Sequence, residues 1–141
     1  MEYPESKYPL QNETYKIIGL CMEVHKNLGH GFLEIVYKDA LEIEFQNNDI
    51  LYEREKRYEI DYKGIILPHK YQADFVVFDN VILEVKATNG VANEHYAKVI
   101  NYLAASKCKI GLLVNFGESS LFTKELYYDF CESVAIKYSI N

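Results

Sequence analysis

The feature that most constrains the fold is a change in hydrophobic period close to residue 51. Before it, apolar side chains recur roughly every three to four residues, the spacing of an amphipathic helix. The two apolar stripes consist of Ile17, Cys21, Val24 and Leu28, and then of Leu33, Tyr37, Leu41 and Phe45. They predict one helix from residue 12 or 13 to residue 28 and a second helix from about residue 32 to residue 46.

After residue 51 the chain is rich in β-branched and aromatic residues and is broken by turn signals, a texture typical of strands. The predicted elements are strands over 52–62, 65–78 and 81–88, a helix over 93–106 and a buried strand over 109–116. Pro68 indicates a bulge or an edge within the second strand, because proline cannot donate to a strand ladder. The segment 121–140 fits either a short strand or a helical turn.

Length and element order predict an α/β fold in one domain over residues 1–141. A chain of 141 residues with 49% apolar residues can bury a core without disulfides. The order ααβββαβ is that of an α/β layer structure. No apolar run approaches the roughly 20 residues that cross a bilayer, and the first residues lack the pattern of a signal peptide. We therefore expect a cytoplasmic protein without a membrane partner.

A net charge of −6 argues against binding nucleic acid through overall positive potential, so that any such contact must be local. The best candidate for a phosphate-facing surface is the segment 51–70. Its bases are Arg54, Lys56, Arg57, Lys63 and Lys70. Acidic residues interleave with these bases, so a solvated strand is the alternative interpretation.

Three charged residues stand in otherwise apolar strands, where burying them is costly unless they are paired, hydrated or bound to a metal. Glu84 and Lys86 lie in the run ILEVKAT and share one strand face, because side chains alternate along a strand. Asp74 lies in YQADFVVF, on the preceding strand. This pattern predicts that the three side chains have a chemical role.

The loop between these two strands decides whether Asp74 meets Glu84. A three-residue loop over 78–80 places the two residues opposite each other, with Cβ atoms roughly 5 Å apart. A two-residue loop would place Asp74 opposite Val85 instead. Asn80 suits the left-handed position that ends a three-residue loop, which favours the first register.

Adjacent carboxylates repel each other, and a divalent cation is one remedy. Mg²⁺ is typically held by one or two carboxylates with waters and a substrate phosphate. Asp74 and Glu84 are therefore candidate ligands of Mg²⁺ or Mn²⁺, and Lys86 would orient the nucleophile or stabilise developing charge. Glu34 lies on the buried stripe of the second helix and is a third candidate acid. An ordinary N-terminal glutamate stabilised by the helix dipole is the alternative.

The spacing of Asp74 and Glu84-Val85-Lys86 resembles the signature of PD-(D/E)XK nucleases. The segment GFLEIVY over 31–37 is similar to the motif that names the GxxExxY proteins. Further similar blocks, ILEVKA, INYL and IGLLVNFG, extend the resemblance from about residue 24 to residue 117, within a motif-bearing core of about residues 12–117. It implies a restriction-endonuclease-like mixed central sheet flanked by helices, with Asp74 and Glu84 as metal ligands, Lys86 as catalytic residue and Glu34 as accessory acid.

The chain departs from this pattern on the third predicted helix. Relatives often carry a glutamine four residues before the tyrosine of NYL, where this chain has Lys98 ahead of Tyr102. The two residues share a helical face. They are accessory candidates, with Lys98 either a second phosphate contact or a solvated lysine.

These features predict a divalent-metal-dependent nuclease that hydrolyses nucleic-acid phosphodiester bonds through a metal-activated water, with DNA the expected substrate. One alternative is a catalytically silent binding or interaction module on the nuclease fold. Another is a metal-free scaffold in which Lys86 neutralises Asp74 and Glu84 as a buried ion network. A homodimer would help an acidic chain to assemble enough basic surface for a nucleic-acid partner.

Overall fold

The computed structural model describes residues 10–128. The helices are α1 (Gln11–Leu28), α2 (Glu34–Asn47) and α3 (Asn93–Ser106). The strands are β1 (Tyr52–Tyr58), β2 (Asp61–Tyr62), β3 (Ile65–Ile66), β4 (Tyr71–Val77), β5 (Val81–Lys86), β6 (Ile110–Asn115) and β7 (Phe122–Tyr127). Between residues 10 and 128, no helix combines the length and apolar character needed to cross a membrane.

A five-stranded mixed sheet in the order β1-β4-β5-β6-β7 forms the centre of the fold. The β5–β6 pair is parallel and is connected through α3, whereas the other neighbours are antiparallel. Helices α1 and α2 pack on one face of the sheet. Helix α3 packs on the other face. The predicted α/β fold with a mixed sheet flanked by helices is confirmed.

The predicted order ααβββαβ is wrong in the number of strands. The run predicted over 52–62 forms β1 and β2, and the run over 65–78 breaks around Pro68 into β3 and β4. The short strands β2 and β3 pair only with each other, outside the large sheet. Strand β7 forms at the start of the open segment 121–140, whose residues from 129 onward lie outside the described range.

Helix boundaries agree closely with the apolar stripes. Helix α3 begins and ends where it was predicted, and α1 begins at Gln11, within two residues of its predicted start. Helix α2 begins at Glu34 rather than at residue 32, because Leu33 has an extended backbone (φ −69°, ψ 153°). Glu34 is consequently the first residue of its helix.

The β4–β5 turn has the predicted three-residue loop but not the predicted backbone. The pairs Phe75↔Leu83 and Val77↔Val81 fix the register that brings Asp74 level with Glu84. The left-handed residues are Phe78 (φ 54°) and Asp79 (φ 61°). The expectation that Asn80 is left-handed is wrong, because the left-handed conformations that close the loop fall on its first two residues instead.

Strands β1 and β4 are both irregular at one level, where Glu55 faces Asp74. The described pairing of the two strands continues on either side of this level and skips it. Tyr71 and Ala73 pack on the α3 face of the sheet, whereas Phe75 and Val77 pack on the face of α1 and α2. Strand β4 therefore exchanges its faces at Asp74.

Strand β1 exchanges its faces at the same level. Tyr52 packs with the core under α1 and α2, whereas Tyr58 packs with the cluster under α3. Glu55 lies between them with a left-handed backbone (φ 57°), which is uncommon for a non-glycine residue. This paired irregularity places the side chains of Glu55 and Asp74 towards α2.

Candidate active site

The Asp74 carboxylate lies between α2 and the end of the β4–β5 ladder. Its Oδ2 atom accepts a hydrogen bond from the Val85 N–H at 2.8 Å, and its Oδ1 atom accepts one from Lys38 Nζ at 3.1 Å. The described β4–β5 pairing ends one residue before this point, at Phe75↔Leu83. The side chain thus takes the place of a backbone partner and fixes its own position relative to β5.

The Glu84 carboxyl lies beside Asp74 and is almost completely buried, with 8% of the residue exposed. The Tyr71 hydroxyl donates a hydrogen bond to Glu84 Oε1 at 2.5 Å. Burial, followed by the charge of Asp74 and a hydrogen bond with it, raises the pKa of Glu84 from 4.5 to about 9. At neutral pH the Glu84 carboxyl of the metal-free protein therefore keeps its proton.

A stack of three tyrosines, Tyr58, Tyr71 and Tyr102, holds the hydroxyl that contacts Glu84. Tyr71 lies in the middle, with ring centroids 5.8 Å from Tyr58 and 3.7 Å from Tyr102 and planes inclined by 14° and 11°. Burial and the charge of Glu84 raise the pKa of Tyr71 and that of Tyr102. Tyr102 therefore adjoins the carboxyl pair through the ring of Tyr71.

Glu34 and Lys86 complete the group. Glu34 is half-buried at the start of α2. Burial and then the charge of Asp74 raise the pKa of Glu34, whereas the charges of Lys86 and Lys38 lower it. The structure thus brings together Asp74, Glu84, Lys86 and Glu34, the four residues for which the sequence predicts a catalytic role.

A family model of the PD-(D/E)XK nuclease superfamily matches residues 11–126 of this sequence. The chain belongs to this superfamily. The crystal structure of SSO0001 is similar to the present fold, with a TM-score of 0.53 at 20% sequence identity. The similarity covers 65% of this chain and 48% of that protein, and it bears on the fold alone. Among curated proteins, none matches this chain.

The mixed sheet with helices on both faces is consistent with the restriction-endonuclease-like fold of the PD-(D/E)XK superfamily. In this member, Asp74 lies on β4 and the Glu84-Val85-Lys86 segment ends β5. Both strands reach the same end of the sheet, next to the start of α2. The arrangement provides two adjacent carboxyls, a lysine and a further acid.

Two side chains that contact the carboxyls were not predicted from the sequence: Lys38, which contacts Asp74, and Tyr71, which contacts Glu84. Lys38 lies four residues after Glu34, and this spacing places both side chains on one side of a helix. That signal was available, but the apolar stripe gave no reason to prefer Lys38 over other lysines. Tyr71 could not be found by alternation along β4, because the strand exchanges its faces at Asp74.

Lys98 is not brought into contact with the site. It is exposed on α3, one turn before Tyr102, and within residues 10–128 no hydrogen bond or ion pair engages it. In the metal-free alternative Lys86 would neutralise the two carboxyls, but the observed ion pair to Asp74 is made by Lys38, at 3.1 Å.

The basic segment 51–70 is largely neutralised by acids. Arg54 Nη1 lies 2.8 Å from Asp39 and 2.9 Å from Glu42. Lys56 and Lys70 each form an ion pair as well, at 3.3 Å and 3.5 Å from a glutamate. These contacts favour the alternative interpretation, in which the bases solvate and brace the strand rather than form a continuous phosphate-binding surface.

The donor set fits a hard divalent cation that keeps water in its coordination shell. Within the described part of the chain, no group of three or more histidine, cysteine, aspartate or glutamate side chains is placed to enclose a metal. Asp74 and Glu84 offer two carboxyls in contact, and Mg²⁺ commonly takes one or two carboxylates and completes its shell with water and phosphate. The proton that Glu84 retains is one that a bound cation would displace.

Proposed function

We propose that this protein is a divalent-metal-dependent nuclease that hydrolyses phosphodiester bonds of nucleic acid, with DNA the expected substrate. The observation that carries the proposal is the convergence of Asp74, Glu84, Lys86 and Glu34 at one end of the sheet. Membership of the PD-(D/E)XK nuclease superfamily supports it. The motif over 31–37 supports a place among the GxxExxY proteins, because it supplies Glu34 to the group.

Asp74 and Glu84 would hold Mg²⁺ or Mn²⁺. When bound, the ion lowers the pKa of a coordinated water and neutralises charge on the phosphoryl oxygens. Lys86 orients the attacking water or stabilises the negative charge that develops on the phosphate. Glu34 is suited to accept a proton, since burial and Asp74 raise its pKa above the ordinary value of 4.5.

Metal binding and cleavage can be tested in parallel. Calorimetric titration with Mn²⁺ should show binding to the wild type and none to the double variant Asp74→Asn/Glu84→Gln. Cleavage of plasmid and single-stranded DNA should require the same two residues and should be lost in Lys86→Met. Lys109→Met is the matched control, because Lys109 is exposed beside the opposite end of the β5–β6 pair. A wild type that neither binds Mn²⁺ nor cuts would refute the proposal.

The alternative of a catalytically silent binding or interaction module has one observation in its favour. The Lys38 ammonium lies 3.1 Å from Asp74 and compensates the charge of this carboxylate without a metal. This alternative expects nucleic-acid or protein binding that neither Mn²⁺ nor the substitution Glu84→Gln affects. Mn²⁺ affinity therefore separates the two functions before any substrate is known.

In this proposal the nucleic acid contacts a surface outside the acidic site. Lys98 is exposed and free to contact a phosphate, and Tyr102 positions the stack behind Glu84. We expect Lys98→Ala to weaken DNA binding and to reduce its dependence on salt, because each phosphate contact releases counterions.

A homodimer would double the basic surface that a long nucleic acid meets, and sedimentation with and without DNA tests it. A cytoplasmic location fits a nuclease of this kind.

A further inference from the structure

Lys38 is an ammonium group in a place where lysine is seldom found. Only 7% of the residue is exposed, and burial of a charged group is unfavourable unless partners compensate for it. Its partners are both carboxylates: Asp74 Oδ1 at 3.1 Å and Glu55 Oε1 at 3.5 Å. The ammonium therefore bridges the candidate metal ligand to an acid outside the catalytic group.

Glu55 reaches this bridge through an unusual backbone. It has a left-handed conformation (φ 57°) in the middle of β1, and such a conformation costs energy in a non-glycine residue and is often found at functional sites. The irregularity turns the Glu55 side chain towards α2, where Lys38 lies. Its carboxylate is half exposed, with 46% of the side chain accessible, so it is the better solvated of the two partners.

The geometry points to Lys38 as a built-in counter-cation that competes with the divalent metal for Asp74, and to Glu55 as the carboxylate that holds Lys38 when the metal is bound. This inference rests on the proposed function, because it concerns the same metal ligand. A fixed positive charge within a few ångströms of a divalent ion opposes binding strongly in a partly buried site. Asp74 remains oriented without Lys38, since the Val85 N–H holds its other oxygen at 2.8 Å.

Two substitutions therefore have opposite expected effects on metal affinity. Lys38→Gln removes the competing charge and should tighten Mn²⁺ binding by roughly tenfold or more. Glu55→Gln removes the alternative partner of Lys38 and should weaken Mn²⁺ binding several-fold, because Lys38 then depends on Asp74 alone. If Lys38 only orients Asp74, Mn²⁺ binding should weaken in Lys38→Gln and stay unchanged in Glu55→Gln, where the contact between Lys38 and Asp74 remains.

The experiment is calorimetric titration of the full chain with MnCl₂. Lys38→Arg, which keeps the charge, should bind Mn²⁺ as the wild type does. Glu53→Gln is the matched control for Glu55→Gln, because Glu53 is an exposed acid on the same strand, paired with Lys56. If circular dichroism shows that Lys38→Gln does not fold, the Glu55→Gln and Glu53→Gln pair still decides the inference.

The outcomes separate this inference from the proposed function. Tighter binding in Lys38→Gln together with weaker binding in Glu55→Gln supports the inference, and Mn²⁺ binding by Lys38→Gln alone would support it while refuting a metal-dependent wild type. Wild-type binding that Lys38→Gln leaves unchanged or weakens would overturn the inference and leave the nuclease proposal intact. No Mn²⁺ binding by any variant would overturn both.

Discussion

Glu84→Gln should stabilise the metal-free protein at pH 7. The pKa of the Glu84 carboxyl is raised from 4.5 to about 9, so the folded protein retains a proton that the unfolded chain has lost. Because the folded state binds more protons, the free energy of unfolding falls by about 1.4 kcal/mol per pH unit across this interval. From pH 4.5 to pH 7 the loss amounts to about 3 kcal/mol. Below pH 4.5 both states are protonated and the penalty is absent.

Glutamine escapes this penalty because it never has to take up a proton. Its amide can donate to Asp74 as the protonated carboxyl does, and its carbonyl oxygen can accept from the Tyr71 hydroxyl. Urea unfolding in EDTA, followed by circular dichroism, measures the effect as a function of pH. The gain from Glu84→Gln should be below about 1 kcal/mol at pH 5 and should approach about 5 kcal/mol at pH 8.

An exposed glutamate provides the control for this measurement. Glu94 lies on the surface of α3, and Glu94→Gln should leave the slope of stability against pH unchanged. Parallel slopes for the wild type and Glu84→Gln, or a wild type that becomes more stable between pH 5 and pH 8, would refute the raised pKa of Glu84.

Two further predictions concern the surroundings of the site. Tyr71→Phe keeps the ring stack but loses the hydrogen bond to Glu84, and it should weaken Mn²⁺ binding about tenfold, as is typical when a group that orients a metal ligand is lost. Tyr58→Phe, in the same stack, should bind Mn²⁺ as the wild type does. Equal Mn²⁺ affinities for the two variants would contradict the orienting role of Tyr71. Gly117→Ala places a Cβ atom 2.2 Å from the Thr88 carbonyl oxygen and should lower the free energy of unfolding by about 2 kcal/mol or more in urea, whereas unchanged stability would show that the backbone can move apart.

Elements with a clear burial pattern could be predicted from the sequence. Helix α3 was found where its stripe indicated, and the largely buried strands β5 and β6 were found within two residues of their predicted limits. Strands β2 and β3 could not be separated from their neighbours, because every residue in them is exposed. Local periodicity carries no information about a hairpin that buries nothing.

Residues of the candidate site divide in the same way. Glu84 and Lys86 could be placed on one face from local alternation, and the loop length predicted the register that brings Asp74 level with Glu84. Lys38 and Tyr71 could not be assigned, because their contacts depend on the exchange of faces at Asp74. That exchange requires a compensating left-handed residue on another strand, which no single stretch of sequence reveals.

The paired irregularity of β1 and β4 makes the lengths of the two strands interdependent. Deletion of Glu55 or Asp74 alone would leave one strand with an unmatched residue, and every side chain beyond the deletion would turn to the wrong face of the sheet. Deletion of both residues would restore an ordinary ladder of paired strands but remove Asp74, a candidate metal ligand. Insertions and deletions between related chains should therefore be found in the connection 59–70 between β1 and β4, whose short hairpin lies outside the five-stranded sheet. They should be rare within β1 and β4.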